Sequence, residues 1–416
     1  MSESHPMATR RLPVTFILIT VCLDAMGIGL ILPVMPDLIR EVRGASLSDA
    51  ALWGGILSAV YAVMQFGFSP TIGNLSDRFG RRPILLVSMA VMAVDYVVMA
   101  LAGTIWLLLA GRIVAGIAAS THATALAYMA DITDGSKRAQ NFGLISAGFG
   151  IGFILGPAVG GLLGGLDPRA PFVAAAILAA ANFTFGWFVL PESLPQDRRR
   201  RFDWRRANPA GGLRQMGKLP GVKALLAVML AYQIANFTYP AVWAYYTQGA
   251  FGWDARTVGL SLAAYGVAIA VVQAGLIRAI LPRLGETRAV FWGLILNTSC
   301  LLAYGLASEG WMIWILIPIS AVGAIVAPAM QGVMSRAAGE DQQGELQGVL
   351  SSLSALSMIL SPLMMTQAFF WFTREGAALW LPGAPFLLGA VLMATAFGLF
   401  IAKGPRSAPS NATAPQ

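Results

Sequence analysis

The stretch Gly73-Asn74-Leu75-Ser76-Asp77-Arg78-Phe79-Gly80-Arg81-Arg82-Pro83 (GNLSDRFGRRP) sets four formal charges between two apolar runs, in a 416-residue chain of which only 12% is charged. So short a polar segment reads as a tight turn between two helices. Gly80 supplies backbone freedom there and Pro83 suits the first turn of the helix that follows. Asp77 can accept backbone N–H groups at a helix N-terminus or pair with Arg78 or Arg81, and Gly73 lets another helix approach closely. Arginines alone would enforce topology; the acidic Asp77 asks for a further reason.

What surrounds the turn decides its setting. With 57% hydrophobic residues and a mean hydropathy of +0.68, the chain is too apolar to cover its own surface, so lipid must solvate most of it. Apolar runs of about 20 residues predict twelve membrane helices near 12–34, 50–72, 82–102, 104–127, 140–164, 170–190, 221–248, 257–281, 288–307, 310–333, 343–370 and 379–402. The first run follows basic residues as a signal peptide would, but Asp24 interrupts it and no convincing cleavage site follows, so it reads as a retained span. Cys22 and Cys300 lie in apolar runs without motif spacing and read as small core residues. The longest polar stretch, Pro191 to Pro220, carries Arg198 to Arg201 and the pair Arg205-Arg206. Beside so many spans it reads as a cytoplasmic linker held at the anionic leaflet rather than a nucleic-acid patch. Of the 28 Lys and Arg, 22 fall on the side that holds both termini, Arg112 lies within a span, and only Arg40, Arg43, Arg169, Arg256 and Arg374 fall on the other side. Both termini are therefore expected in the cytoplasm.

The halves repeat. Gly80 and Gly285 are 205 positions apart, as are Arg78 and Arg283, Gly143 and Gly348, and Pro157 and Pro362. One shared offset near half the length argues for two six-helix repeats about an axis along the membrane normal, with a midplane site between them. The expected division is 1–190, a linker at 191–220, and 221–416.

On these stretches the chain resembles the major facilitator superfamily. GNLSDRFGRRP is similar to its signature loop. LDAMGIGLILPVMP in span one, YAVMQF with Gln65 in span two, GRIVAG in span four, ADITDG, GFILGPAVGG in span five, LPES, FGWDARTVGLSLAA and PAMQGVMS resemble the tetracycline/proton antiporters within it. The resemblance covers nearly the whole chain. It implies an all-α polytopic fold of two pseudo-symmetric six-helix bundles in the bacterial inner membrane, acting as a monomer. It also implies export of tetracycline or a similar planar amphipathic drug against protons, with no cofactor beyond the proton gradient and magnesium only as part of a metal–drug substrate; export of another drug or metabolite, or uptake by a symporter on the same fold, are the alternatives. For Gly73, Asp77, Arg78, Gly80, Arg81 and Arg82 it implies a gating role at the inner seam between the halves.

Only Asp24, Asp95 and Arg112 lie deep in spans as formal charges, and such groups usually face a cavity or a partner. Asp24 is expected to switch protonation during transport; the alternative is a structural pair with Arg112. Asp95, beside Tyr96, is a second proton-coupling candidate or an interhelical hydrogen-bond partner. Arg112 can steer protons or pair with a carboxylate, and Gly116, Ala119 and Ala123 continue its helical face. His122 reads first as a hydrogen-bonded core residue.

Gly148, Gly152, Gly156, Gly160 and Gly164 stand four apart, with Pro157 beside the third, so they form a smooth stripe for close packing. The resemblance assigns this segment to the antiporter motif, where the helix rocks against the opposite half. The interior of the second half is free of formal charge. Gln233, Asn236, Gln273 and Asn297, among the aromatics Tyr232, Phe237, Tyr239 and Trp243, are its candidate substrate groups, together with Gln65 from the first half. Each could instead join helices. Two positions depart from the tetracycline subgroup, with Asn297 for its span-nine acid and Ile269 for its span-eight histidine. Coupling is therefore expected in the first half alone, and Asn297→Asp is expected to raise tetracycline export. The sequence contains no GxxxxGK[ST] loop, which argues against ATP coupling.

Overall fold

The computed structural model describes residues 8–119, 121–133, 137–203, 208 and 222–403. Within them, twelve helices are long and apolar enough to cross a membrane. Spans one to six are Pro13–Ile31, Leu47–Phe79, Arg81–Leu101, Ile105–Ile132, Gln140–Gly164 and Ala170–Val189. Spans seven to twelve are Lys223–Phe251, Ala255–Leu284, Glu286–Leu306, Gly310–Ala338, Gln343–Thr373 and Ala384–Lys403. Helices are what lipid requires, because every backbone polar group must be satisfied within the segment. Their outward faces carry Val94, Leu101, Phe188 and Val271, all exposed, as a lipid-facing surface should.

The 205-residue repeat is written into the backbone. Gly80 and Gly285 both adopt positive φ, +106° and +75°, and cap spans two and eight through N–H bonds to Ser76 and Leu281. A side chain at either position would be strained. Helix breaks recur at the same interval. The chain leaves span one through residues 32–34 into the short helix Met35–Arg43, and span seven is interrupted at Phe237. Span four breaks at Ala119, and span ten tightens to a 3-10 turn over Gly323–Ile325. The break at Ala119 removes Ala123 from the helical face of Arg112, against the sequence expectation. The repeat even holds for an ion pair with its signs exchanged, since Arg81–Asp131 in the first half becomes Glu286–Arg336 in the second.

Packing follows the repeat. Span one lies on five and six, three on six, and two on four; seven lies on eleven and twelve, nine on twelve, and eight on ten. Between the halves, span five meets eight and span two meets eleven. The first contact is backbone to backbone, with Gly161 against Gly259 and the Ala255 carbonyl, and the Pro157 carbonyl against Gly259. In the second, the Pro362 carbonyl and Thr366 pack on Gly55. Ser48 and Thr373 share a hydrogen bond of 2.8 Å, Gln248 donates to Asp37 at 3.1 Å, and the Tyr245 hydroxyl rests on Gly54. All these contacts lie toward one end. Toward the other, a chamber opens between Ser69 and Pro70 of span two and Ser351 and Ser354 of span eleven. The halves are thus closed at one end and parted at the end that carries the Gly80 and Gly285 loops.

A central cavity open at one end

Three contiguous chambers occupy the space between the halves, and a fourth, lined by the first half alone, adjoins them. The largest, about 550 Å³, is lined mainly by the second half, with Tyr232, Gln233, Asn236, Tyr239, Gln273 and Asn297 among its walls. A more apolar chamber of about 260 Å³ extends it toward the closed end, between Tyr61, Gln65 and Arg112 on one side and Trp243 and Tyr245 on the other. Gln65 also borders a third chamber, about 500 Å³, that opens between spans two and eleven. Asp24 lines the smallest, with Tyr61, Gln65 and Thr121.

Local folding explains how these groups reach the cavity. Span seven is interrupted one residue past Asn236, just before Pro240, whose ring could not continue the ladder. Gln273 lies in a π-helical turn, Val272–Leu276, a type of bulge that often re-aims side chains at functional positions. Tyr239 stacks on Tyr265 at 5.5 Å and meets Tyr304 and Phe386 edge-on, while the Trp243 indole donates to Ser261 at 2.9 Å. The result is an aromatic wall braced by ring contacts beside the amides of Gln233, Asn236 and Gln273. The hydroxyl of Tyr239 and Oε1 of Gln233 are buried without protein partners.

Arg112 pairs with Asp95, and both are buried, 7% and 3% exposed. Its guanidinium also lies 5.4 Å from the Tyr61 ring centre and donates to the Met99 sulfur. The sequence alternative of an Asp24–Arg112 pair is therefore not what forms. Asp24 is left with the Thr121 hydroxyl as its hydrogen-bond partner. Asp95, the weaker of the two acids from sequence, is the one engaged by the arginine. The side chain of His122 lies outside the described residues.

Asn297 lines the main chamber, but its amide nitrogen donates to the Gly293 carbonyl at 2.9 Å and to the Gly323 carbonyl at 3.0 Å. It ties span nine to the 3-10 turn of span ten. A carboxylate there would face two carbonyl oxygens, which reverses the expectation for Asn297→Asp. Gln65 is partly committed too, donating to the Ala119 carbonyl at 3.0 Å across the break in span four.

The span-five glycine stripe faces span one, not the opposite half. Gly152, Gly156 and Gly160 lie on the carbonyls of Cys22, Met26 and Leu30, Gly148 meets the Leu18 carbonyl, and Gly164 meets Val34. Contact with the opposite half comes mostly from the adjoining face, through Pro157 and Gly161, with Gly164 at the end of the stripe also near Ala255. The second glycine row was present in the sequence as GG at 160–161 and at Gly259, but the longer stripe masked it.

At the open end, Asp77 pairs with Arg81 at 2.6 Å, and Arg81 reaches Asp131 at 3.1 Å. Arg78 is instead over the Phe79 ring, and Arg82 donates to the Trp187 carbonyl. The Arg81 amide donates to Glu192 at 2.8 Å, the Arg200 amide to the Asp77 carbonyl at 3.0 Å, and Asn74 to the Asp203 carbonyl at 2.6 Å. The loop is thus clasped by the start of the linker. Asp131 lies in ADITDG and Glu192 in LPES, and their acidity was the sequence signal that could have assigned them to the arginine-rich loop. Arg205 and Arg206 lie outside the described residues.

The model of the Major Facilitator Superfamily matches residues 17–362. The chain is 41% identical over 376 residues to tetracycline resistance protein, class C, of Escherichia coli, covering 90% of this chain and 93% of that one. It is 39% identical over 395 residues to the class D protein of Salmonella ordonez, covering 94% and 95%. Among solved structures it is similar to a bacterial homolog of the human lysosomal transporter Spinster, with a TM-score of 0.72, 15% identity and 96% of each chain covered.

Proposed function

This chain belongs to the Major Facilitator Superfamily, and from that premise we propose that it exports tetracycline, or a planar amphipathic compound like it, across a bacterial inner membrane in exchange for protons. It is a carrier and not an enzyme. Relatives named for tetracycline resistance, similar along nine-tenths of the chain, support the substrate. The excess of Lys and Arg at the open end supports cytoplasmic termini and makes this the inward-open arrangement. The observation that carries the reading is a cavity open at one end only, with aromatic and amide walls and a carboxyl, Asp24, in its side.

The physical sequence is then direct. A flat drug enters from the cytoplasm and lays its ring system against Tyr239, Tyr265 and Trp243, while the amides of Gln233, Asn236 and Gln273 meet its polar edge. Asp24 exchanges a proton with the cavity. The Asp95–Arg112 pair fixes the Tyr61 ring beside it. The halves, 1–190 and 221–416, rock about the packed contacts of spans five with eight and two with eleven, joined by the linker at 191–220. The Gly73–Arg82 loop, clasped here by the linker, is freed to close on the opposite half in the outward-open arrangement. One chain encloses the complete cavity, so the monomer suffices.

Drug-susceptibility profiling of a pump-deficient bacterium expressing the protein tests this. Raised resistance to tetracycline, abolished by collapse of the proton gradient, is the expected result. Unchanged tetracycline susceptibility in well-expressing cells contradicts it.

A further inference from the structure

The seam at the closed end contains an acid that lies outside the cavity. Asp37 sits on the short helix Met35–Arg43 of the first half, and its carboxylate accepts a hydrogen bond from Gln248 of span seven, in the second half, at 3.1 Å. One turn earlier in span seven, Tyr245 is buried with its hydroxyl unpartnered on Gly54, close enough to Asp37 to feel its charge. The two helices are the pieces that follow the repeated breaks at 32–34 and 237. They must separate whenever the closed end opens.

We propose that Asp37 is a proton sensor of the outer seam: a proton bound there from the outside draws the halves together at that end and returns the carrier to its inward-open arrangement. The word "outside" rests on the orientation given under the proposed function.

The sign follows from the surroundings. Burial raises the Asp37 carboxyl above its ordinary value, opposed by the Gln248 hydrogen bond and by Arg40, 3.7 Å away on the same helix. Its other charged neighbours are engaged elsewhere. On its own helix, Glu41 pairs with Arg169 and Arg43 lies over Trp53. From span two, Asp49 is tied to Ser46; from span four, Arg112 is paired with Asp95; span seven brings Tyr245 and no formal charge near this end. Parting the halves removes span seven and admits water, so the carboxyl holds its proton more tightly in the closed seam than in the open one. By linkage, protonation favours closure, and this contribution is lost as pH rises through the closed-seam value. In an exporter, an outward-open carrier that has released its drug would be reset by external acid.

The test uses the full chain in lipid nanodiscs. Spin labels are placed at Ala45→Cys and Glu375→Cys, beside the Ser48–Thr373 contact, with Cys22 and Cys300 replaced by serine. The label separation is measured from about pH 5 to pH 9, a range that spans raised carboxyl values. With Asp37 present, the closed-to-open ratio should rise toward acid, by about tenfold per unit difference between the two seam values. Asp24→Asn, which removes the cavity carboxyl, should keep part of this response; added to it, Asp37→Asn should flatten what is left and Asp37→Glu should keep it. A wild-type-like response in Asp37→Asn, or a flat response in the unmutated seam, overturns the proposal. The readout needs neither drug nor gradient, so it can fail while export is proton-driven, and it can succeed in a carrier of some other cargo.

Discussion

Asp95 and Arg112 show what a single buried pair demands. Removing one partner strands the other charge away from water, which costs about 3 to 5 kcal/mol, whereas replacing both with apolar groups can be neutral. Asp95→Asn should therefore lower the folded yield and thermal stability sharply, and Asp95→Leu with Arg112→Met should recover most of the stability while leaving transport impaired. Fluorescence-detected size exclusion on a heating series checks this; equal stability of the single and double variants would contradict it. Asn297 sits at the same scale. Because its amide donates to two carbonyls, Asn297→Asp loses a donor pair and should destabilise the join between spans nine and ten by about 1 to 3 kcal/mol, with tetracycline transport falling rather than rising. Composition made all three residues conspicuous as polar groups in apolar spans. It did not reveal their partners, because a pairing depends on the rotation of each helix about its axis, and apolar runs that face lipid on one side and protein on the other fix that rotation weakly.

Among the elements, span five separates two kinds of small-residue contact. Gly156 lies against the backbone of Met26 and Gly29, which cannot give way, so Gly156→Ala should force spans one and five apart. Overpacking of this kind costs about 1 to 3 kcal/mol. Gly143 faces open space, and Gly143→Ala should be close to neutral in stability. Similar melting temperatures for the two variants would show that the stripe is not a packing surface. The four-residue spacing of the glycines was legible in the sequence because it matches the helical period. Which neighbour they met was not, since a smooth face fits any helix. The turns at Gly80 and Gly285 were legible for a stronger reason, as each requires a backbone conformation that glycine supplies and the two stand one repeat apart. The π-turn at Val272–Leu276 left no such mark, because it changes hydrogen-bond partners without requiring a special residue.

For the whole molecule, twelve spans and their repeat could be read from hydropathy and one offset, while the closed and open ends could not. Conformation belongs to the seam, where contacts such as Gly161 on Gly259 and Gln248 on Asp37 are made by residues some hundred or more positions apart. The open end explains why the Asp77 loop is held by Arg81 and the linker in this arrangement. Asp77→Asn should slow interconversion, with turnover reduced about tenfold or more and drug binding nearly unchanged. A fall in binding with unchanged turnover of bound drug would assign the loop to the site instead of the gate.

Proton-driven export through a cavity with Asp24 in its wall is tested most directly in everted membrane vesicles loaded by an imposed pH gradient. Tetracycline accumulation should be driven by the gradient in the wild-type protein and should fall to the level of empty vesicles in Asp24→Asn, with the variant present in the membrane in equal amount and still binding drug. Gradient-driven accumulation at the wild-type rate in Asp24→Asn would contradict the role of that carboxyl, and with it the coupling that the cavity geometry supports.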